Sequence, residues 1–181
     1  IYKWSIDSME DFWESLLEFL DINFSGDTNP VINRNQIKPG VKWFENVKLN
    51  FAENLLSKND ESIAIEAHRE DGNKRLLTYI QLNESVASAS GYLKSIGIKE
   101  GDRIAAVMPN IPETIIMMLA STSIGAIWTS CSPEFGENAI LERFSQVNPK
   151  VLISTDGYLF KGTYFSISKK ISTIASKLSN L

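Results

Sequence analysis

Hydrophobic and polar positions follow different patterns in the two parts of the chain. In residues 5–21 the apolar residues recur every three or four positions, which predicts one amphipathic helix. Residues 22–40 are rich in Asn, Gly and Pro and predict a loop, whereas residues 50–56 predict a short helix. We therefore expect a helical and loop segment over residues 1–60, followed by a domain over residues 61–181.

The second part of the chain alternates short apolar runs with helical patterns. Residues 62–68 and 75–79 predict two strands that are joined by a hairpin turn at Asp71-Gly72. The helix that follows is expected to begin after the capping residue Thr78 and to end before Gly97. The remaining predicted elements are strand 103–108, helix 112–123, strand 126–130, helix 137–147, strand 150–155 and helix 166–181.

This alternation predicts an α/β fold with a mostly parallel sheet and helices on both faces, because parallel strands need helical crossovers. Ligands of such sheets bind beyond the carboxyl ends of the strands. Three strand ends are therefore candidate binding segments: Met108-Pro109-Asn110, Ser130 to Gly136, and Thr155-Asp156-Gly157.

Composition and charge exclude several classes of function. The chain has a net charge of −4 and no basic stripe, which argues against a nucleic-acid partner. Its apolar runs are shorter than the roughly 20 residues that a membrane span requires. A single cysteine and a polar start without a signal pattern favour a reducing, cytoplasmic location.

Candidate catalytic groups are few. The segment Trp128 to Gly136 holds the only cysteine, Cys131, and two serines that could be nucleophiles. No Lys or Arg stands beside Cys131 in the sequence to lower the pKa of its thiol, and the sole histidine, His68, is expected at a strand edge without a catalytic role. One Cys and one His cannot form a Cys/His metal site. From the residues alone we predict an α/β domain with a ligand edge, no catalytic residue and no metal site.

Several segments of the sequence resemble motifs of a known family. The segment "GDRIAAVMPNIPETIIMMLASTSIGAIWTSCSPEFG", Gly101 to Gly136, resembles the acyl-CoA synthetases of the adenylate-forming superfamily. "LLTYIQL", Leu76 to Leu82, is similar to the first core motif of that family. Val41 to Leu56 and Tyr2 to Glu14 resemble the N-terminal segment of its acetyl-CoA synthetase group. The fold implied is part of an adenylation domain.

Within that group, three further words resemble the acetoacetyl-CoA synthetase branch. They are "SCSPEFG" at Ser130 to Gly136, "ERFSQ" at Glu142 to Gln146, and "PKVL" at Pro149 to Leu152. The resemblance implies that the whole enzyme uses ATP and Mg²⁺ to convert acetoacetate into acetoacetyl-AMP and pyrophosphate. CoA then displaces AMP and gives acetoacetyl-CoA.

The resemblance also implies which parts of the reaction this chain lacks. The Ser/Thr/Gly-rich phosphate loop, the Mg²⁺-binding Glu, the ribose-binding Asp and the catalytic Lys of the family follow its second core motif, and no such segment occurs up to Leu181. The chain starts with Ile1 and stops inside a helical pattern, so we expect it to be an excised N-terminal part. We expect it to form no adenylate alone and to bind none of ATP, CoA or Mg²⁺ tightly.

By the same resemblance, two segments are candidate CoA contacts. They are the loop Ser132, Pro133, Glu134, Phe135 and Gly136, and the residue Lys161. Lys161 stands where the acetyl-CoA branch has two arginines, and Glu134 stands in place of a glycine. The alternative is that Pro133 and Gly136 only turn the chain into the next helix, whose N-terminus Glu134 and Glu137 stabilise.

Two other functions stay open at this point. The first is another short-chain acyl-CoA synthetase, such as an acetyl- or propionyl-CoA synthetase. The second is a non-catalytic nucleotide- or CoA-binding module. In addition, we expect the 181-residue chain to expose apolar surface and to self-associate through it.

Overall fold

The computed structural model describes residues 1–33 and 40–181. The chain divides into two compact units, Ile1–Asn54 and Leu55–Leu181. Part of the predicted loop, residues 34–39, lies outside the described residues.

The first unit combines helices with two short antiparallel strand pairs. Its elements are α1 (Tyr2–Asp7), α2 (Met9–Phe19), β1 (Ser25–Gly26), β2 (Ile32–Asn33), β3 (Lys42–Trp43), β4 (Val47–Lys48) and α3 (Phe51–Leu55), whose last residue lies in the second unit. Strand β1 pairs with β4 and β2 pairs with β3. The prediction of one helix over 5–21 is wrong, because Ser8, with φ −129° and ψ 62°, separates α1 from α2. The prediction of an uninterrupted loop over 22–40 is also wrong, since β1 and β2 lie within it.

Asparagine side chains organise the end of the first unit. The Asn50 Oδ1 atom accepts hydrogen bonds from the backbone N–H groups of Ala52 at 2.9 Å and Glu53 at 3.2 Å, so it caps α3. Asn54 pairs with the backbone of Asn23: its Oδ1 accepts from the N–H at 2.7 Å and its Nδ2 donates to the carbonyl at 2.9 Å. These contacts give a physical reason for both asparagines in the word "LNFAENLL".

The second unit contains the elements that position the site. They are β5 (Ile63–His68), β6 (Lys74–Thr78), α4 (Tyr79–Ser95), β7 (Arg103–Val107), α5 (Pro112–Ser123), β8 (Ile127–Cys131), α6 (Glu137–Val147), β9 (Val151–Ser154), β10 (Gly157–Phe160), β11 (Thr163–Ser166) and α7 (Ser168–Lys177). Strands β5 and β6 form the predicted antiparallel hairpin. The predicted cap of α4 is confirmed: Thr78 Oγ1 accepts from the Gln81 N–H, and Gln81 Oε1 accepts from the Thr78 N–H.

A three-stranded parallel sheet with the order β8-β7-β9 forms the centre of this unit. On one face of β7, Ala105 and Val107 join a buried cluster with Phe144 of α6 and Ile174 of α7. Ile104 and Ala106 are fully buried as well and, because side chains alternate along a strand, point to the opposite face. The fold is therefore mixed α/β. The parallel part is smaller than the prediction of a mostly parallel sheet implies, since the other described strands form four antiparallel pairs.

The hairpin of β10 and β11 has no counterpart among the elements predicted from the sequence. Phe160 pairs with Thr163, so the connecting turn has only two residues, Lys161 and Gly162, with φ angles of 49° and 74°. Two positive φ angles are typical of the type I′ turn, whose twist matches that of the strands. Because β11 extends to Ser166, the last helix begins at Ser168 and not at the predicted residue 166.

Candidate functional site

The carboxyl ends of the three parallel strands open onto one cleft of about 820 Å³. The register sets Cys131 of β8 and Ser154 of β9 on either side of Val107 of β7, so the segments that follow these strands lie at the same edge. All three predicted strand ends contribute to the lining: Met108–Asn110, Ser130–Glu134 and Thr155–Gly157. The start of α5 adds Ile111 and Thr114. The two hairpins complete the lining with His68, Arg69, Glu70, Tyr158, Leu159, Phe160 and Tyr164.

The loop from Ser132 to Gly136 has an inner and an outer part. Ser132, Pro133 and Glu134 line the cleft, whereas Phe135 and Gly136 are not among its lining residues. Pro133 is fully buried, Glu134 is exposed, and Phe135 is 37% exposed. The N–H of Phe135 donates to the Ser132 carbonyl at 3.2 Å, which closes a turn. Gly136 has φ −63° and precedes α6 as its N-cap.

Two cations from other elements hold this loop, and neither contact was predicted from the sequence. The Lys170 Nζ atom, on α7, donates to the carbonyls of Pro133 at 2.9 Å and Phe135 at 3.0 Å. The Arg143 guanidinium, on α6, stands 4.8 Å from the centre of the Phe135 ring, a cation–π distance. Neither Lys170 nor Arg143 lines the cleft. Residues outside the cleft lining therefore hold the loop: Lys170 binds its backbone and Arg143 packs against the Phe135 ring.

Lys161 lies in the two-residue turn between β10 and β11. Its Nζ atom is 5.3 Å from the centre of the Phe160 ring, and Phe160, unlike Lys161, lines the cleft. The N–H of the next residue, Gly162, donates to Glu70 Oε2 at 3.5 Å. This contact joins the turns of the two hairpins, and it sets Lys161 near the mouth of the cleft but outside its described lining.

Cys131 and His68 both line the cleft, but they do not form a catalytic pair. His68 Nε2 is 2.9 Å from Glu66 Oε1 on its own strand, and the His68 side chain is exposed. Burial raises the pKa of the Cys131 thiol above its ordinary value, and the nearby Arg143 guanidinium only partly opposes this effect. Arg143 thus lies near Cys131 in space, although no basic residue stands beside Cys131 in the sequence. The pKa of the thiol nevertheless lies above its ordinary value, which favours the protonated form at neutral pH.

The charge of the cleft lining is predominantly negative. Glu70, Glu134 and Asp156 contribute carboxylates, whereas Arg69 contributes the one permanently charged cation of the described lining. Burial raises the pKa of the Tyr164 phenol, and the Asp156 carboxylate beside it raises that pKa further. Within residues 1–33 and 40–181, no group of three or more His, Cys, Asp or Glu side chains could hold a metal ion. A polyanionic ligand in this cleft would need cations from outside its present lining.

The fold and the cleft define the chain as adenylation-domain-like, and the comparisons agree. Residues 52–177 match the family model described as AMP-binding enzyme, and residues 1–55 match that of the acetyl-coenzyme A synthetase N-terminus. The chain belongs to the AMP-binding enzyme family. No helix in the described part of the chain is long and apolar enough to cross a membrane.

Within the family, the chain is similar to acetoacetyl-CoA synthetases. It is 37% identical over 177 residues to the enzyme of Rhizobium meliloti (strain 1021), an alignment that covers 98% of this chain and 27% of the relative. It is 36% identical over 184 residues to the enzyme of Xenopus tropicalis, an alignment that covers 100% of this chain and 27% of that relative. The structure of acetoacetyl-CoA synthetase from Streptomyces lividans has a TM-score of 0.93 at 33% identity and covers 99% of this chain and 28% of that one. The chain thus spans about a quarter of the length of these relatives.

Proposed function

We propose that the protein to which this chain belongs is an acetoacetate–CoA ligase. In the reaction that we propose, the carboxylate of acetoacetate attacks the α-phosphorus of ATP and expels pyrophosphate. The thiolate of CoA then attacks the acyl carbon of acetoacetyl-AMP and releases AMP. The observation that carries the proposal is the similarity to acetoacetyl-CoA synthetases over 98% to 100% of the chain, which includes the segments that line the cleft.

We further propose that this chain contributes an N-terminal segment, residues 1–60, and the first part of the adenylation domain, residues 61–181. In the whole domain the small parallel sheet would continue into a larger one with helices on both faces. The buried positions on both faces of β7 support the expectation of helices on both faces. The cytoplasmic location and the self-association of the 181-residue chain remain predictions.

The cleft loop and Lys161 are our proposed contacts for the CoA nucleotide. Ser132, Pro133 and Glu134 already line the cleft, and Phe135 and Gly136 continue the same turn. Lys161 near the mouth would add a second positive charge to that of Arg69 in the lining, and an ammonium group can act on phosphate as a point charge. We assign no residue of this chain to the ATP triphosphate, because the carboxylates of the lining would repel it. We assign none to Mg²⁺ either, because the described residues contain no metal-ligand cluster.

The substrate is tested with the full-length protein. AMP and acyl-CoA are measured by liquid chromatography with acetoacetate, acetate, propionate or butyrate as the acid. We expect kcat/KM for acetoacetate to exceed the values for the other three acids by at least about tenfold, a difference of about 1.4 kcal/mol in transition-state binding. A preference for acetate or propionate would instead support the related short-chain synthetases. CoA binding without AMP formation would support the non-catalytic binding module.

The CoA contact of Lys161 is tested by Lys161→Ala in the full-length protein. We expect the KM for CoA to rise about fivefold while the rate of ATP–pyrophosphate exchange stays unchanged, because exchange does not involve CoA. Lys74→Ala is the matched control, since Lys74 is an exposed lysine of the other hairpin that contacts Glu66 outside the cleft. Equal effects of the two variants on the KM for CoA would overturn the assignment of Lys161.

A further inference from the structure

We propose that Lys170 is a positioning residue for the cleft loop, Ser132 to Gly136. This inference rests on the proposed function, because it concerns the loop that we assign to CoA. Lys170 fixes the backbone of the loop from the side that faces α7, and the loop in turn presents Ser132 and Glu134 to the cleft. Lys170 does not itself contact the ligand.

The contacts of Lys170 are made to the backbone of the loop. Its Nζ atom donates to the carbonyls of Pro133 and Phe135, at 2.9 and 3.0 Å, on either side of the exposed residue Glu134. The Phe135 N–H donates to the Ser132 carbonyl, and the Glu134 N–H donates to Ser132 Oγ at 3.4 Å. A bond from a charged donor is stronger than one between neutral groups. One ammonium group therefore joins the two residues of the turn that flank Glu134.

The position of Lys170 in its helix is unfavourable without these contacts. It is the third residue of α7, whose first turn contains two lysines and no acidic residue. The N-terminus of a helix carries partial positive charge, which disfavours cations there. The two carbonyl oxygens of the loop offset this repulsion, so the contact accounts for a lysine at a position where the helix alone would favour an acidic residue.

The surroundings of the loop indicate that Lys170 acts on its conformation. Lys170 is absent from the cleft lining, and Pro133, the residue that it holds, is fully buried. Arg143 lies against the Phe135 ring and gives the loop a second support. Loss of Lys170 would leave the Pro133 and Phe135 carbonyls without this partner and would allow the turn to move. Ligand contacts would then weaken although every cleft residue is still present.

The test is Lys170→Met in the full-length protein, with Lys177→Met as the matched control. Lys177 lies on the same helix and contacts Glu137 of α6 at 2.7 Å, so its loss weakens the link between α7 and α6 without touching the loop carbonyls. We expect Lys170→Met to raise the KM for CoA about tenfold and to leave ATP–pyrophosphate exchange unchanged. We expect Lys170→Arg to recover most of the lost affinity, because it keeps a charged donor.

A second measurement separates this inference from the proposed function. Hydrogen exchange at the Glu134 and Phe135 amides should accelerate in Lys170→Met and stay unchanged in Lys177→Met, whatever substrate the enzyme uses. If hydrogen exchange at these two amides is unchanged in Lys170→Met, or changes equally in both variants, the positioning role is overturned. If the wild-type protein forms no acyl-CoA while amide hydrogen exchange in Lys170→Met changes as expected, the proposed function fails and the support of the loop by Lys170 stands.

Discussion

The guanidinium of Arg103 caps the end of α6 at Asn148, 45 positions further along the chain. Its Nη2 atom donates to the Asn148 carbonyl at 3.0 Å and its Nε atom donates to the Val147 carbonyl at 3.1 Å. The last carbonyls of a helix have no partner within the helix. Asn148 ends α6 in the left-handed conformation, with φ 51°. Arg103 thereby joins β7 to α6, the helix that follows β8. This contact gives a physical reason for the arginine in the segment Gly101-Asp102-Arg103.

Arg103→Met should destabilise the second unit because both carbonyls lose a charged donor. We expect the free energy of unfolding to fall by about 2 kcal/mol, measured by urea titration with circular dichroism. Arg75→Met is the control: it removes an exposed contact with Glu113, for which we expect less than about 1 kcal/mol. Equal losses in the two variants would contradict the capping role of Arg103.

Asp102 should make the stability of the chain depend on pH. Its carboxylate accepts hydrogen bonds from Lys150 Nζ at 2.7 Å and from the Lys99 N–H at 2.9 Å. The Lys150 contact, and then the Lys99 amide, lower the pKa of Asp102 below its ordinary value. The folded state therefore binds the proton less readily than the unfolded state does. This contribution to stability is present above the ordinary Asp pKa of about 3.9 and is lost as the pH falls through the lowered folded-state pKa.

Asp102→Asn provides the measurement. At about pH 6 we expect the variant to unfold at a lower temperature than the wild type. The difference between the two melting temperatures should shrink as the pH is lowered below about 4. The wild-type carboxyl group is then protonated and carries no charge, like the asparagine amide of the variant. A difference that stays constant from about pH 6 to about pH 2 would show that Asp102 acts through packing and not through its charge.

Gly157 is the glycine of the cleft that leaves no space for a side chain. A Cβ atom there would lie 2.5 Å from the Phe165 carbonyl oxygen on the paired strand β11. We expect Gly157→Ala to lower the free energy of unfolding by about 1 to 3 kcal/mol through overpacking.

Gly91→Ala is the control of opposite sign for that measurement. Gly91 is exposed on α4, and no neighbouring atom lies within 4 Å of the place that a Cβ atom would occupy. The substitution should raise the free energy of unfolding by about 0.5 to 1 kcal/mol, because alanine loses less backbone entropy in a helix. A Gly157→Ala chain as stable as the wild type would show that β10 and β11 adjust freely.

Features that depend on neighbouring residues could be predicted from the sequence. The cap at Thr78 and the start of α5 at Pro112 follow from local hydrogen bonding and backbone geometry, and both are found in the structure. The meeting of the three strand ends follows from the parallel arrangement of β7, β8 and β9. The break at Ser8 could not be predicted in the same way, because the apolar spacing continues across it.

Features that depend on distant residues could not be predicted. Lys170 contacts Pro133 across 37 positions and Arg103 contacts Asn148 across 45, and no local pattern shows such a pairing. Lys170 looks like an ordinary surface lysine in the sequence, apart from its place in the first turn of a helix without acidic residues. The β10–β11 hairpin has a visible signal in the sequence, since Lys161-Gly162 separates two short aromatic runs, but the pattern of the final helix overlaps the end of β11 at Ser166.

Cys131 should be unreactive in the folded protein although it lies in the cleft. Its side chain is buried and burial raises the pKa of its thiol, so little thiolate forms at neutral pH. We expect iodoacetamide to label Cys131 at about pH 7.5 at least tenfold more slowly in the native chain than in urea, as measured by mass spectrometry.

In the full-length protein we expect Cys131→Ala to keep kcat within about twofold of the wild type, because the thiol takes no part in the proposed acyl transfer. Rapid labelling of the native chain would show that Arg143, which opposes the effect of burial, dominates the environment of the thiol. A loss of kcat without a loss of stability would bring back Cys131 as a nucleophile. Both measurements thus test whether the Cys131 thiol takes a chemical part in the reaction or only lines the cleft.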